Sequence, residues 1–298
     1  GDHVWLHVEK RGANTAWIAG KIAEAAEVEV QDIGYAGLKD RHAVTRQWYS
    51  VSLGGNAEPD WGVLNSSELR ILEVTRDKKK LRRGDHASNR FHIRLRSVEG
   101  DIERCRQIFS QIMSGGYPNY FGEQRFGKDN SNLAKAQRWF VGEVKPKRSE
   151  QGYLLSAARA LLFNQVLAKR VEMGNWDKPL AGDLMESTDS GYCFPAFKIN
   201  DELLSRCSDM EVAPTGPLYG AGEPKPSREA GEVEGAVLEE SAFWKKSLEA
   251  RRMRADRRIL RASAGRLEWS LEAGDMLLSF ELGTGSYATS LLREVVAW

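Results

Sequence analysis

Gly34-Tyr-Ala-Gly-Leu-Lys-Asp-Arg-His-Ala-Val-Thr-Arg-Gln-Trp-Tyr-Ser50 sets one carboxylate, Asp40, between two cations, Lys39 and Arg41, on a glycine-containing turn. The run before it, Ile33 to Leu38, is short and apolar. After it, Thr45 to Leu53 places Tyr49, Val51 and Leu53 on one face and Trp48, Ser50 and Ser52 on the other, the period of a half-buried strand. Opposite charge on both sides favours the ionised form of the carboxylate. An ionised carboxylate at a strand end suits a nucleophile or an electrostatic stabiliser and suits a general acid poorly. For a bare Lys-Asp-Arg tripeptide, a solvated charged turn is the plainer account. The longer run is what singles out Asp40.

Working outward, an opening strand at Val4 to Val8 leads to an Asn14-Thr15 pair that can cap a helix reaching about Ala26, with Trp17, Ile18, Ile22 and Ala25 at helical spacing. Strands are predicted at Leu69 to Thr75 and Asn89 to Leu95; the latter sets Phe91, Ile93 and Leu95 opposite Arg90, His92, Arg94 and Arg96. Asp101 starts a helix with Ile102, Cys105, Phe109 and Ile112 at core spacing, and Gly115-Gly116 stops it. This order gives an α+β layer, a mostly antiparallel mixed sheet with flanking helices.

From Tyr117 the texture changes. Helices are predicted at Ser131 to Gly142 and Tyr153 to Met173, turn-rich sequence from Gly174 to Gly235, and one helix over Glu232 to Lys246. Strand alternation returns at Arg266 to Leu271 and Met276 to Leu282, before a helix from about Ser286 to Val295. These last strands are too few to fold alone and must complete the first sheet. The expected organisation is therefore a catalytic domain in two parts, residues 1–115 and 255–298, with residues 116–254 inserted between them.

The 298 residues carry a net charge of +1, but locally charge is strongly biased. Lys78, Lys79, Lys80, Arg82 and Arg83 lie within a basic stretch over residues 76–96, and seven arginines lie within residues 251–266. Segregated charge is the footprint expected where a face meets phosphates, against the alternative of a solvated basic face. Three widely spaced cysteines and no C-x-x-C pair argue against a disulfide framework and a structural zinc and suit a reducing cytosol. The five histidines show no ligand spacing, so no metal is expected; His42 is a candidate proton carrier beside the turn or a structural histidine. No apolar run approaches a membrane span and no signal-peptide pattern opens the sequence.

Asn89 and Phe91, two apart on a strand, project from one face: an amide for a base edge and a plate for stacking, or a strand-start Asn and a core Phe. Pro118-Asn-Tyr-Phe-Gly-Glu-Gln-Arg-Phe-Gly127 mixes aromatics, amides and a cation; Asn119, Gln124 and Arg125 can contact RNA, or the run can be a packed junction. Gly283-x-Gly285-x-x-Ala288 matches a dinucleotide-binding fingerprint. With Trp298 as the last residue read, no second strand and no acidic ribose partner about 20 residues on are expected, and the fingerprint is not read as a nucleotide site.

Four of these segments, in order and spread over nearly the whole chain, resemble the motifs of the TruD family of tRNA pseudouridine synthases. Gly37-Leu-Lys-Asp40 matches the family's G-x-K-D, whose aspartate is the catalytic nucleophile. Ser88-Asn-Arg-Phe91 matches G-N-x-F, with Ser88 in place of Gly, and its Asn and Phe line the uracil pocket. The Asn119–Gly127 run matches N-Y-F-G-x-Q-R-F-G, and Gly285 to Glu294 matches G-S-[FY]-A-T-x-x-x-R-E, whose aromatic, here Tyr287, helps hold the target base. Family members also carry an upstream segment that supplies an edge strand, a phenylalanine and a basic partner for the aspartate; this sequence begins after it. Lys39 is not expected to be that partner, since neighbouring strand side chains point apart.

The resemblance implies a pseudouridine synthase-like catalytic domain carrying an inserted α+β TRUD domain. It also implies a cofactor-free, metal-free cytoplasmic isomerase, expected as a monomer, that acts on uridine-13 of tRNA through Asp40. Asn89, Phe91 and Tyr287 would bind the base, and Lys39, Arg41, Lys78, Lys79, Lys80, Arg82, Arg83, Gln124 and Arg125 are candidate RNA contacts. Two other classes stand beside it: a non-catalytic RNA-folding chaperone on the same scaffold, which does not need Asp40, and a hydrolase that uses Asp40 to activate water.

Overall fold

A computed structural model describes residues 2–297 of the chain, which divide into two compact units, one up to Ser88 and the other from Asn89. In the first unit, β1 (His3–Arg11), α1 (Thr15–Ala25), β2 (Ile33–Tyr35), β3 (Val44–Ser52) and β4 (Leu69–Asp77) build an antiparallel sheet of order β2-β3-β1-β4. Alternation in β1 buries Val4, Leu6 and Val8, and register sets Leu6 beside Tyr49 and Val4 beside Val51. Thr15, Ile18, Ala19, Ile22, Ala23 and Ala26 form the stripe by which α1 covers this face. Trp17, which shares the helical spacing of Ile18 and Ile22 in sequence, lies off the stripe and is 43 % exposed.

The second unit begins with β5 (Ser88–Leu95) and α2 (Ile102–Gly115). As expected, the Asp101 carboxylate accepts the Arg104 N–H at 3.0 Å to start α2. Gly116 ends it at φ +75, where a Cβ would also lie 2.5 Å from the Ala262 carbonyl. Then come β6 (Tyr117–Pro118), α3 (Ser131–Phe140) and the long α4 (Arg148–Glu172). The stretch expected to be turns holds β7 (Asp183–Ser187), β8 (Cys193–Ala196), α5 (Asp201–Ser208) and β9 (Val212–Leu218). Strand β9 reads Val-Ala-Pro-Thr-Gly-Pro-Leu and is buried along nearly its whole length, so it has neither the alternation nor the composition that marks a strand.

The single helix expected over Glu232 to Lys246 is two, α6 (Arg228–Glu240) and α7 (Ala242–Ala250), parted at Ser241, whose hydroxyl hydrogen-bonds Gln165 at 2.8 Å. Next, β10 (Asp256–Ile259) closes a sheet of order β10-β9-β7-β8, and β11 (Arg261–Ala262) pairs with β6. Last come β12 (Ala264–Glu272), β13 (Asp275–Gly283) and α8 (Ala288–Val295). The late hairpin, expected to complete the first sheet, instead pairs with β5 in a separate sheet of order β12-β13-β5, because β5 is not a strand of the β2-β3-β1-β4 sheet. Helices α2 and α8 bury Phe109, Ile112, Leu291 and Leu292 with Met276, Leu278 and Phe280 of this sheet.

Two ion pairs are buried in the middle of this unit. Arg170 on α4 meets both oxygens of Asp183 at 3.0 Å, with both side chains almost fully covered. Arg257 on β10 likewise holds Glu234 of α6 at 2.9 Å. Burial raises the Glu234 carboxyl, and the Arg257 charge opposes it. Breaking a buried pair on one side strands a charge. Asp183→Leu is therefore expected to cost about 3–5 kcal/mol in denaturant unfolding, and Arg170→Met added to it should recover much of the loss.

Candidate functional site

Residues 37–40 carry no ladder or helical hydrogen bonding, so side chains fix the turn around Asp40. The Lys39 N–H donates to Thr15 Oγ1 at 2.9 Å, the Arg41 Nε to the Gly12 carbonyl at 3.3 Å, and the Lys10 Nζ to the Asp40 carbonyl at 2.6 Å. Beneath them, Gln47 Nε2 reaches Thr15 Oγ1 at 3.3 Å and Tyr49 Oη at 2.7 Å. The Asp40 side chain is exposed, and its Oδ1 accepts the His42 N–H at 2.9 Å. Among the described residues, Oδ2 has no hydrogen bond.

The basic segment is latched beside this turn. A Cβ on Gly34 would collide with the Leu81 carbonyl, the Leu81 N–H donates to Ser50 Oγ at 2.9 Å, and the Gly84 N–H donates to the Ala36 carbonyl at 2.8 Å. Lys79 pairs with Asp85 at 3.3 Å and Lys80 donates to the Gln31 carbonyl, so their charges are partly committed. Lys78, Arg82 and Arg83 are exposed. Burial lowers the Lys39 ammonium pKa. Sequence reasoning missed two neighbours of the turn. His86 touches the position of a Gly37 Cβ at 3.2 Å and bonds the Ala36 backbone; burial and the Lys39 charge lower its pKa. Lys10 is 1 % exposed, and it continues the inward phase of Val4, Leu6 and Val8. A lysine in that phase was a readable signal.

In the second unit, Asn89 and Phe91 lie on β5, and the half-buried Phe91 stacks on Phe280 with centroids 5.4 Å apart. Ser88 is not among the residues with positive φ, so replacing glycine there strains no backbone. Tyr287, just before α8, accepts a hydrogen bond from Arg125 Nε at 3.0 Å and packs against Phe121. Asn119 is a packing residue: it is 2 % exposed, donates to the Ile259 carbonyl at 3.0 Å and accepts from Arg258 at 2.6 Å. Gln124 is exposed.

The arginine-rich 251–266 segment, expected to hold phosphates, is largely spent on packing. Arg257 pairs with Glu234, and Arg261 donates to the Val212 carbonyl at 3.2 Å. Arg251 lies 4.1 Å over the Phe140 ring, and Arg258 lies 4.2 Å over Phe121, where burial draws its pKa down to about 10. Charge segregation in sequence cannot distinguish a guanidinium turned inward from one turned to solvent. Among the described residues, no three His, Cys, Asp or Glu side chains gather as a metal site, and no helix is long and apolar enough to cross a membrane.

Comparison with known proteins matches the model of the family tRNA pseudouridine synthase D (TruD) over residues 1–141 and 147–295. A Nitrosococcus oceani protein named tRNA pseudouridine synthase D is 45 % identical over 300 residues, covering 99 % of this chain and 84 % of its own length. A Methylococcus capsulatus protein of the same name is 42 % identical over 298 residues with the same coverage. A Methanosarcina mazei crystal structure assigned to the same family superposes with a TM-score of 0.71 at 20 % identity, over 99 % of this chain and 88 % of that one; it shares the fold.

The Gly34 contact yields a test. Gly34→Ala is expected to cost about 1–3 kcal/mol through overpacking. It should also release residues 78–83 to trypsin under native conditions. Wild-type stability and protection would mean that the segment is not held at Gly34.

Proposed function

The chain belongs to the TruD family of tRNA pseudouridine synthases, and on that premise we propose that it converts uridine to pseudouridine in tRNA, at uridine-13, with Asp40 as nucleophile. The observation that carries the assignment of Asp40 is its setting: an exposed carboxylate with one oxygen uncommitted, on a turn whose backbone is held by Lys10 and Thr15 and whose Arg41 side chain is tied to Gly12. The reaction breaks the N1–C1′ bond, turns the base and rejoins it through C5, with no net redox change and no hydrolysis. A carboxylate can serve it by attack at C1′, by taking the C2′ proton on a glycal route, or by addition at C6. Neither a metal nor a cofactor enters this scheme, and the enzyme acts as a cytoplasmic monomer.

In this reading the target uridine leaves its stack at a cost of a few kcal/mol, offset by Asn89 at its polar edge and by Phe91 and Tyr287 as aromatic walls. Lys39, Arg41, Lys78, Lys79, Lys80, Arg82, Arg83, Gln124 and Arg125 meet the RNA. Residues 1–115 and 255–298 form the catalytic domain and residues 116–254 the inserted TRUD domain. The pairing of β13 with β5, and the core that α2 shares with α8, support joining residues 88–115 to the C-terminal segment.

Asp40→Asn should abolish pseudouridine formation on unmodified tRNA and keep tRNA affinity within a few-fold. Turnover near wild type would remove Asp40 from the nucleophile's role, and a wild type that binds and refolds tRNA without isomerising it would favour the chaperone. Lys78 has no ion pair among the described residues. Lys78→Ala should flatten the slope of log K against log salt by about 0.7–0.9, the value of one phosphate contact. Lys79→Ala and Lys80→Ala should move it less. Phe91→Ala should slow single-turnover isomerisation, with a stability loss below the about 3–5 kcal/mol of a fully buried Phe, since Phe91 is only half covered. A normal rate alongside a full core-sized loss would make Phe91 a packing residue alone.

A further inference from the structure

We propose that Lys10 is a positioning residue for Asp40, its buried ammonium holding the Asp40 backbone from below so that the carboxylate stays where it reacts. This rests on the reading of Asp40 as nucleophile. Lys10 occupies a slot that strand alternation reserves for an apolar side chain, next in phase after Val4, Leu6 and Val8, and it is 1 % exposed. Burying an ammonium is costly, and a methionine would fill the same space without that cost. What the charge gains is a charge-assisted hydrogen bond of 2.6 Å to the Asp40 carbonyl.

Among the described residues Lys10 has no ion pair, so its compensation comes from Asp40: the carbonyl directly, and the carboxylate through space. Its cross-strand neighbours, Thr45 on β3 and Leu69 on β4, are uncharged. Beyond Thr45 on the inward face of β3 lie Gln47 and Tyr49, the latter kept neutral by burial. Helix α1 presents Thr15, which the Lys39 N–H and Gln47 engage. Lys39 and Arg41, the charges beside Asp40, are held by α1 and by the loop before it. Burial lowers the Lys10 pKa and the Asp40 charge opposes that shift, so on raising the pH Lys10 loses its proton before an ordinary lysine does. Its hold on the Asp40 carbonyl should then weaken with rising pH through that range.

The experiment compares wild type, Lys10→Met, Lys10→Arg and Asp40→Asn on unmodified tRNA, reading single-turnover rate, tRNA Kd, Tm and the pH dependence of the rate. Lys10→Met should slow the chemical step about 10- to 100-fold, the effect of misplacing a reacting group by an ångström or less, with Kd within a few-fold. Lys10→Arg, charged at every pH used, should recover part of the rate and shift its alkaline decline to higher pH. Titration of uridine N3 is common to all variants, so the difference isolates Lys10. A Lys10→Met enzyme with wild-type rate and alkaline limb, whatever its Tm, would overturn the proposal. If Lys10→Met does not fold, an unshifted alkaline limb in Lys10→Arg overturns it instead, and a shifted one supports it. An active Asp40→Asn removes the underlying reading; an inactive Asp40→Asn beside an unaffected Lys10→Met removes the Lys10 role alone.

Discussion

A backbone that belongs to no helix or ladder keeps its place only through whatever reaches it from outside. Residues 37–40 are such a backbone, and the groups that reach them are Lys10 from β1 and Thr15 from the first turn of α1, while the segment around Leu81 and Gly84 is bonded to Ser50 and to Ala36, just before them. The rigid layer beneath, β1 and β3 covered by α1, is what makes those contacts firm. Thr15 is the junction: its hydroxyl faces the Lys39 N–H and the Gln47 amide, and its carbonyl accepts from Tyr49 Oη at 3.4 Å. A loop carrying a functional group and a scaffold that positions it is a common division of labour. Here the positioning is done by polar side chains placed inside an otherwise apolar core.

How much of this was legible depended on whether the signal was local. The Asp40 turn and its flanking strands could be read because glycine, charge and period-2 alternation lie within one short run. Asp101 and Gly116 marked the ends of α2 because caps are local chemistry. Strand β9 could not be read, since full burial erases alternation and its two prolines argue against a strand. The break at Ser241 was hidden because the apolar spacing runs on through it while the break is fixed by Gln165, distant in sequence. Lys10 was legible and unread: in the V-x-L-x-V-x-K pattern the phase alone places it inside.

The basic segments show where counting charge fails. Residues 76–96 and 251–266 look alike in sequence, yet the second sends Arg257 and Arg261 into the interior and lays Arg251 and Arg258 on aromatic rings. A guanidinium is weakly hydrated and planar enough to be buried in this way, whereas a lysine ammonium tends to stay in water.

The pairing of β5 with β13 has a consequence for how the chain is made. Strand β5 is finished by Leu95, but its partner begins at Asp275, so at ordinary synthesis rates the edge waits about ten seconds or more for a neighbour. An unpaired edge bearing Phe91, Ile93 and Leu95 on one face is a template for wrong partners. Arg90, His92 and Arg94 alternate with those residues, and charge at every second position is a known brake on edge-to-edge association. Once the hairpin arrives, Arg90 pairs with Glu281 and Arg94 with Asp275 at 3.1 Å. The same cations would guard the nascent strand and then recognise its proper mate.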